Sequence, residues 1–270
     1  MSYLVDIFRD INMKFLKSLI LIFLVFLTSC KKDEVDNAAN ADVGTELQLV
    51  KIASWNSVTG KETTNTEFMY ETNGRLKSIT HNRVVLIPIY NSSGKITAAN
   101  GLNEKGGNVN YTLTYNNVGQ LVKLVYVFMN PSDSGYTRTF SYNASGKLVN
   151  MTTLSAATGN TSTVDYTWKG ENLEGSTTTN NVGSDSSTSF VSRYSSYDNK
   201  LNPYNLAQGI TAILNGFPLS KNNFTELVTT SYTGYVYLQK RVYAYHPSGY
   251  ALDLTLSDGG NEGTKFYYNQ

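Results

Sequence analysis

One phrase recurs along the chain and limits what it can fold into. An aromatic residue is followed by polar residues, by glycine four positions on, then by a basic or polar residue and an aliphatic one. It runs from Tyr70 through Gly74 to Leu76, from Tyr90 through Gly94 to Ile96, from Tyr115 through Gly119 to Leu121, and from Tyr142 through Gly146 to Leu148. A late copy runs from Tyr245 through Gly249 to Ala251, and Trp168–Leu173 and Tyr197–Leu201 are shortened versions. The first four copies begin 20, 25 and 27 residues apart, which fits one β-hairpin per unit. The polar residues make a type I turn and the glycine takes positive φ before the next strand starts. A side chain with a Cβ at that glycine would cost about 1–2 kcal/mol.

The segments between the phrases alternate with period two. Val109, Tyr111, Leu113 and Tyr115 are interleaved with Asn110, Thr112 and Thr114; Val164, Tyr166 and Trp168 with Asp165 and Thr167; Phe140 and Tyr142 with Thr139 and Ser141. One polar and one apolar face per strand indicates antiparallel sheet. The expectation is an all-β, antiparallel meander of hairpins forming a curled sheet or barrel-like body. One short helix is expected at about 203–215: Asn202 caps it, Pro203 opens it, Leu206, Ile210, Ile213 and Leu214 fall at helical spacing, and Gly216 with Pro218 closes it.

Residues 1–29 read as a leader. A start at Met13 gives a basic region (Lys14, Lys17), an apolar run from Leu19 to Leu27, and then Thr28, Ser29 and Cys30. A run of this length suits a secretory signal, and a spanning helix needs about 20 residues. Cys30 is the only cysteine in the chain, so no disulfide is expected. Residues 30–44 read as a flexible tether and 45–270 as a single β-sheet domain. Residues 1–29 hold three basic side chains (Arg9, Lys14, Lys17) and two acidic ones (Asp6, Asp10), which leaves 19 of each sign out of totals of 22 and 21. A body without a basic excess is not built for nucleic acid.

The Leu27-Thr28-Ser29-Cys30 motif resembles the lipobox of bacterial lipoproteins, in which the cysteine sulfur carries a diacylglycerol. The charged stretch Lys31-Lys32-Asp33-Glu34 is similar to the export tags of Bacteroidetes lipoproteins. The resemblance implies a lipid-anchored outer-membrane location, with the cell surface preferred over the periplasmic face. The hairpin phrases are similar to YD repeats, with asparagine mostly replacing the aspartate. Across residues 45–270 the chain resembles an uncharacterised family of Bacteroidetes lipoproteins with a porin-like fold, through the lipobox, the Tyr/Gly hairpins, Tyr197–Pro203 and Leu219–Thr225. That resemblance implies a curled antiparallel body and transfers no functional residues. The outward set of such a body, for example Thr137, Thr139 and Ser141, does not suit lipid.

Candidate chemistry is sparse. His81 and His246 are the only histidines and stand far apart, so no metal site is expected. No Gly-x-Ser-x-Gly elbow stands in a strand-to-helix context, and no cofactor motif is present. Asp165, Glu171, Glu174 and Asp185 are the acids a glycoside-cleaving pair would draw on. The Ser257–Gly263 loop lacks the ligand spacing of an EF-hand. Tyr235, Tyr237, Tyr243 and Tyr245 share one parity, with Gln239 and Arg241 between them, and are the candidate ligand-binding residues; cross-strand packing is the competing role. Three functions remain open: a non-catalytic surface module that binds a glycan, a peptide or another envelope protein; a carrier of a small hydrophobic ligand inside a β barrel; and a glycan-acting hydrolase with a carboxylate pair.

Overall fold

The computed structural model describes residues 47–269 apart from 57, 105, 129–134, 183–184, 208–219 and 258–260. Cys30, the leader and the tether lie outside the described residues, as do positions 208–215 of the expected helix. Sixteen strands follow one another: β1 (Leu49–Asn56), β2 (Glu62–Tyr70), β3 (Leu76–His81), β4 (Val84–Tyr90), β5 (Ile96–Leu102), β6 (Asn108–Tyr115), β7 (Leu121–Phe128) and β8 (Tyr136–Tyr142). They continue as β9 (Leu148–Ser155), β10 (Thr161–Lys169), β11 (Asn172–Val182), β12 (Asp185–Leu201), β13 (Asn222–Ser231), β14 (Val236–Tyr245), β15 (Ala251–Leu256) and β16 (Glu262–Tyr268). Each pairs antiparallel with its neighbours in sequence, and β1 pairs with β16, so the meander closes into a barrel. Where a helix is expected, the described part is a 3₁₀ turn, Pro203–Ala207, between β12 and β13. Asn202 does cap it, accepting the Tyr204 amide on its side-chain oxygen at 3.1 Å. The amide of Asn205 then closes a three-residue repeat onto the Asn202 carbonyl at 3.0 Å, the tighter bonding of a 3₁₀ turn.

Six of the seven repeated phrases are turns of one rim. They join β2 to β3, β4 to β5, β6 to β7, β8 to β9, β10 to β11 and β14 to β15. The seventh, Tyr197–Leu201, has no glycine and lies within β12, at a shift of register. In the Tyr142 copy the Asn143 amide donates to the Lys147 carbonyl at 2.9 Å, and the Asn143 side chain accepts the Ser145 and Lys147 amides at 3.1 and 3.0 Å. Gly146 takes φ of 79°, as the turn requires. The strand register shifts beside the aromatic in these copies, for instance between Ser141 and Tyr142.

Successive turns are bonded to one another through those aromatics. The Tyr90 hydroxyl donates to the Leu76 carbonyl at 2.7 Å, Tyr115 to Ile96 at 2.8 Å, and Tyr142 to Leu121 at 2.8 Å. The series continues with the Trp168 Nε1–H on Leu148 at 2.8 Å, Tyr197 on Leu173 at 2.5 Å and Tyr268 on Ala251 at 2.5 Å. Tyr70 of β2 makes the same bond to Leu49 of β1 at 2.8 Å. Each acceptor belongs to the residue that ends the preceding phrase or opens a strand. A second row runs the opposite way, from the residue after the glycine to the next glycine carbonyl: Lys95 to Gly119 at 2.8 Å, Gln120 to Gly146 at 3.3 Å, and Lys147 to Gly170. Lys95 and Lys147 also stand over the rings of Tyr115 and Trp168.

The barrel interior is uneven. Sixteen strands around a circular section would enclose a channel. Leu49, Ile79 and Leu124 are nonetheless fully buried, together with Phe68, Leu86, Val109, Leu113, Phe140 and Met151. The walls on the β1–β9 side therefore close onto each other. The outer face carries charge along the strands: Lys51, Glu67, Lys123, Asp165, Arg193 and Lys240 alternate with inward residues. At the closing seam, Lys51 pairs with Glu62 at 2.9 Å and the Tyr267 hydroxyl donates to the same carboxylate at 2.5 Å. The Tyr267 bond and then Lys51 hold the Glu62 carboxyl below its usual range.

Two outcomes follow from the ladder. Tyr115→Phe removes one rung while keeping the ring, and should lower stability by about 1 kcal/mol, a fall of roughly 2–4 °C in melting temperature. Tyr235→Phe, on an exposed residue outside the ladder, should leave it unchanged; equal losses in the two variants would contradict the assignment. Burial pushes the Tyr70 and Tyr197 phenols up to about 12. Their unfolded value is about 10, so this stability is complete below pH 10 and is lost as pH rises toward 12. Phenolate absorbance and β-sheet circular dichroism should then change together above pH 10; ionisation of these tyrosines with the sheet signal intact would contradict it.

Candidate ligand site in the barrel lumen

On the β10–β16 side the inward residues do not fill the space. β11 turns Ser176 and Thr178 inward, β12 Ser192 and β13 Thr229, where the other half of the barrel places leucine, isoleucine and phenylalanine. A cavity of about 550 Å³ results, within the usual range for small-molecule sites. Its floor is the 3₁₀ turn, through Pro203 and Tyr204, at the rim that carries the repeated phrases. Phe190, 48% exposed, stands at the other end beside the β13–β14 turn.

Aromatic rings make the walls. Tyr204 meets Phe266 edge-on with centroids 5.6 Å apart, and Tyr194 meets Phe224 edge-on at 5.0 Å. The Arg241 guanidinium lies over the Phe224 ring at 4.0 Å and gives its Nε–H to the Gln239 side chain at 2.9 Å. Arg241 is the one ionised side chain among the described residues that line the cavity. Burial pushes the Tyr204 and Tyr243 phenols up, and the Arg241 cation beside them acts in the opposite direction. Tyr166, 5% exposed, lines the cavity with a hydroxyl that has no hydrogen-bond partner among the described residues. Burial raises its pKa as well.

The four tyrosines of shared parity are spread along β14 and the turn before it. Tyr243 lines the cavity and donates to the Phe224 carbonyl at 3.0 Å. Tyr245 stacks on Tyr243 with centroids 6.1 Å apart and gives its hydroxyl proton to Asp198. Tyr237 pairs with Thr229 on the inward side near the mouth, and Tyr235 lies 70% exposed in the β13–β14 turn. The row therefore follows the inner wall rather than an outer face. Arg241 shares its parity, and a basic residue on the aromatic side of a strand is the sequence signal for this site. Tyr166, Tyr204, Phe224 and Phe266 carry no comparable signal, because each looks like an ordinary core aromatic.

The other candidates lie elsewhere. Asp165 faces outward and accepts from Asn150 at 2.7 Å, Glu171 pairs with Lys147 at 2.9 Å on the surface, and Glu174 is exposed. The Asp185 side chain and residues 258–260 of the Ser257–Gly263 loop lie outside the described set. His81 bonds Thr66 at 2.8 Å and Asn82 at 3.0 Å, and burial lowers its pKa. His246 bonds Ser248 at 2.7 Å within its turn. No group of three metal-ligating side chains occurs among the described residues.

A solved structure shares this barrel. A porin-like protein from Bacteroides uniformis aligns over 82% of this chain and 98% of its own, with a TM-score of 0.51 and 15% identity. At that identity the likeness is one of fold alone. The pore-state Tc holotoxin of Photorhabdus luminescens aligns over 79% of this chain and 11% of its own at 12% identity, with a TM-score of 0.32. No protein-family model and no curated protein matches the chain.

Proposed function

We propose that this protein is a non-catalytic, lipid-anchored envelope lipoprotein whose barrel binds a small, largely apolar ligand in its lumen. The observation that carries this reading is the cavity of about 550 Å³ inside a closed sheet. Ligand sites of that size with mostly apolar walls and a few polar groups suit small molecules. A surface module with a filled interior would show no such space. The charged outer wall favours water over lipid as its surroundings, since each Lys or Arg at the bilayer midplane costs about 2–4 kcal/mol on a barrel exterior. The Lys51, Lys123, Arg193 and Lys240 side chains all stand on that wall. Attachment then falls to Cys30, by its lipobox-like setting.

A protein-binding face has one observation in its favour. Val85, Ile87, Ile89 and Leu102 are each at least 45% exposed on the outer side of β4 and β5, with Val85 opposite Leu102. Such an apolar stripe suits a partner protein of the envelope.

The lumen reading is tested with the neutral fluorophore N-phenyl-1-naphthylamine on the full chain carrying Cys30→Ser, which needs no detergent. Saturable binding is expected, and Ser192→Trp, which fills the cavity, should abolish it at unchanged circular dichroism. Wild-type-like binding by the filled variant would contradict the lumen as the site. In the native host, Cys30→Ser should move the protein from the membrane to the soluble fraction; retention on membranes after a carbonate wash would overturn the lipid anchor.

A further inference from the structure

We infer that the lumen selects an amphipathic anion, with the anionic head against Arg241 and the apolar body along Tyr204, Phe224, Tyr243 and Phe266. The inference rests on the lumen reading above and adds the charge of the ligand. Arg241 is half-buried, and a guanidinium partly withdrawn from water inside a protein is commonly balanced by a carboxylate. The ion pairs among the described residues are Lys51–Glu62, Arg75–Glu71, Arg83–Glu104, Lys147–Glu171 and Lys265–Glu62. Arg241 is in none of them. Its Nε–H is taken by Gln239 and one face by Phe224, and the Tyr243 hydroxyl also bonds the group, which fixes it; with five N–H donors the guanidinium keeps Nη donors for a ligand.

The neighbouring acid does not balance it. Asp198 accepts the Asn223 amide at 3.2 Å, the Asn223 side chain at 3.3 Å, the Lys200 amide at 2.9 Å and the Tyr245 hydroxyl. Its oxygens are saturated by neutral donors at the floor end. A second inward cation lies outside the cavity lining, in the packed half of the barrel, and adds only its long-range field. Arg138 stands opposite Leu124, a core residue, and its Nε and Nη1 are buried without a hydrogen-bond partner among the described residues. Its charge reaches the Tyr166 phenol, whose hydroxyl is itself unpartnered. The cavity wall thus offers the Arg241 cation and the unpartnered Tyr166 hydroxyl, and no carboxylate lines it. A neutral hydrocarbon would leave all of these unpaired, and a cationic ligand would be repelled. A carboxylate takes the guanidinium edge in the two-point geometry that arginine favours.

Displacement of N-phenyl-1-naphthylamine by dodecanoate and by dodecylammonium tests this on the Cys30→Ser chain. The two ligands share a tail and differ in the sign of the head. Dodecanoate should displace at a concentration about tenfold or more below that of dodecylammonium, the ratio one charge-assisted contact provides. Arg241→Met should remove the preference while keeping fluorophore binding, Arg241→Lys should keep part of it, and Arg193→Gln on the outer wall should leave it intact. Equal displacement by the two ligands in the parent chain overturns the charge inference and leaves the lumen reading standing, whatever the variants do. A preference that survives Arg241→Met, or is lost in Arg193→Gln, also overturns it. Failure of the parent chain to bind the fluorophore removes both readings.

Discussion

The aromatic-to-carbonyl bond between one hairpin turn and the next is the contact on which the rest of the structure depends. A hairpin with a three-residue turn is a local object, and a row of such objects has no inherent reason to form one continuous sheet. The Tyr90, Tyr115 and Tyr142 hydroxyls reach back to the Leu76, Ile96 and Leu121 carbonyls. Each bond fixes where one hairpin sits against the last. A slip of one residue would turn the aromatic to the outer face and break the bond, so the ladder and the inward pattern specify the same register. The return row from Lys95, Gln120 and Lys147 to the following glycine carbonyls makes the coupling reciprocal. At about 1 kcal/mol per neutral bond, no single rung decides folding; their agreement around the rim does.

With one rim fixed in this way, the character of the interior follows from what each strand turns inward. On the β1–β9 side those residues are mostly aliphatic or aromatic, with Arg138 among them, and the walls meet. On β11 to β13 they include Ser176, Thr178, Ser192 and Thr229, whose short side chains cannot span the gap. The cavity is held open by rings that stand edge-on to each other rather than collapsing, as in the Tyr204–Phe266 and Tyr194–Phe224 pairs. The same backbone design thus serves as packed core on one side and as receptacle on the other.

Much of this was legible in the sequence, and the illegible parts have physical reasons. Six of the seven phrases located turns, whereas Tyr197–Leu201, which lacks the glycine, runs on within β12; the period-two segments gave antiparallel hairpins. Closure was not readable, because the β1–β16 pairing joins residues such as Ile52 and Phe266 that no local pattern connects. The helix expected at 203–215 rested on a correct cap at Asn202; within the described residues, the one turn that packs, from Pro203 to Ala207, bonds as 3₁₀. The cavity was hidden because β11 is serine- and threonine-rich on both faces, so its inward face carries no hydropathy signal. The tyrosine row on β14 was visible as a parity, but parity alone does not say whether that side faces solvent or lumen. Arg241 was read as an interruption in that row, whereas the fold makes it the charged member of an interior wall.

That placement bears on why the lumen is what it is. An arginine without a carboxylate inside a barrel is a stability cost, and replacing such a group by a hydrophobic residue often stabilises a protein. Selection for stability alone would favour methionine or leucine at position 241, with the aromatic wall intact. Gln239 and Phe224 instead hold the guanidinium in place from its Nε edge and its face. A cation that is both uncompensated and preorganised is what a binding site requires, because the ligand supplies the missing charge without having to order the side chain that receives it. The stiffness comes from the rim: Tyr243, beside Arg241, is anchored on the Phe224 carbonyl by the same hydroxyl-to-carbonyl bond that joins the turns. The bond that joins neighbouring hairpins and the bond that orients the lumen wall are therefore one chemical device, used first for fold and then for recognition.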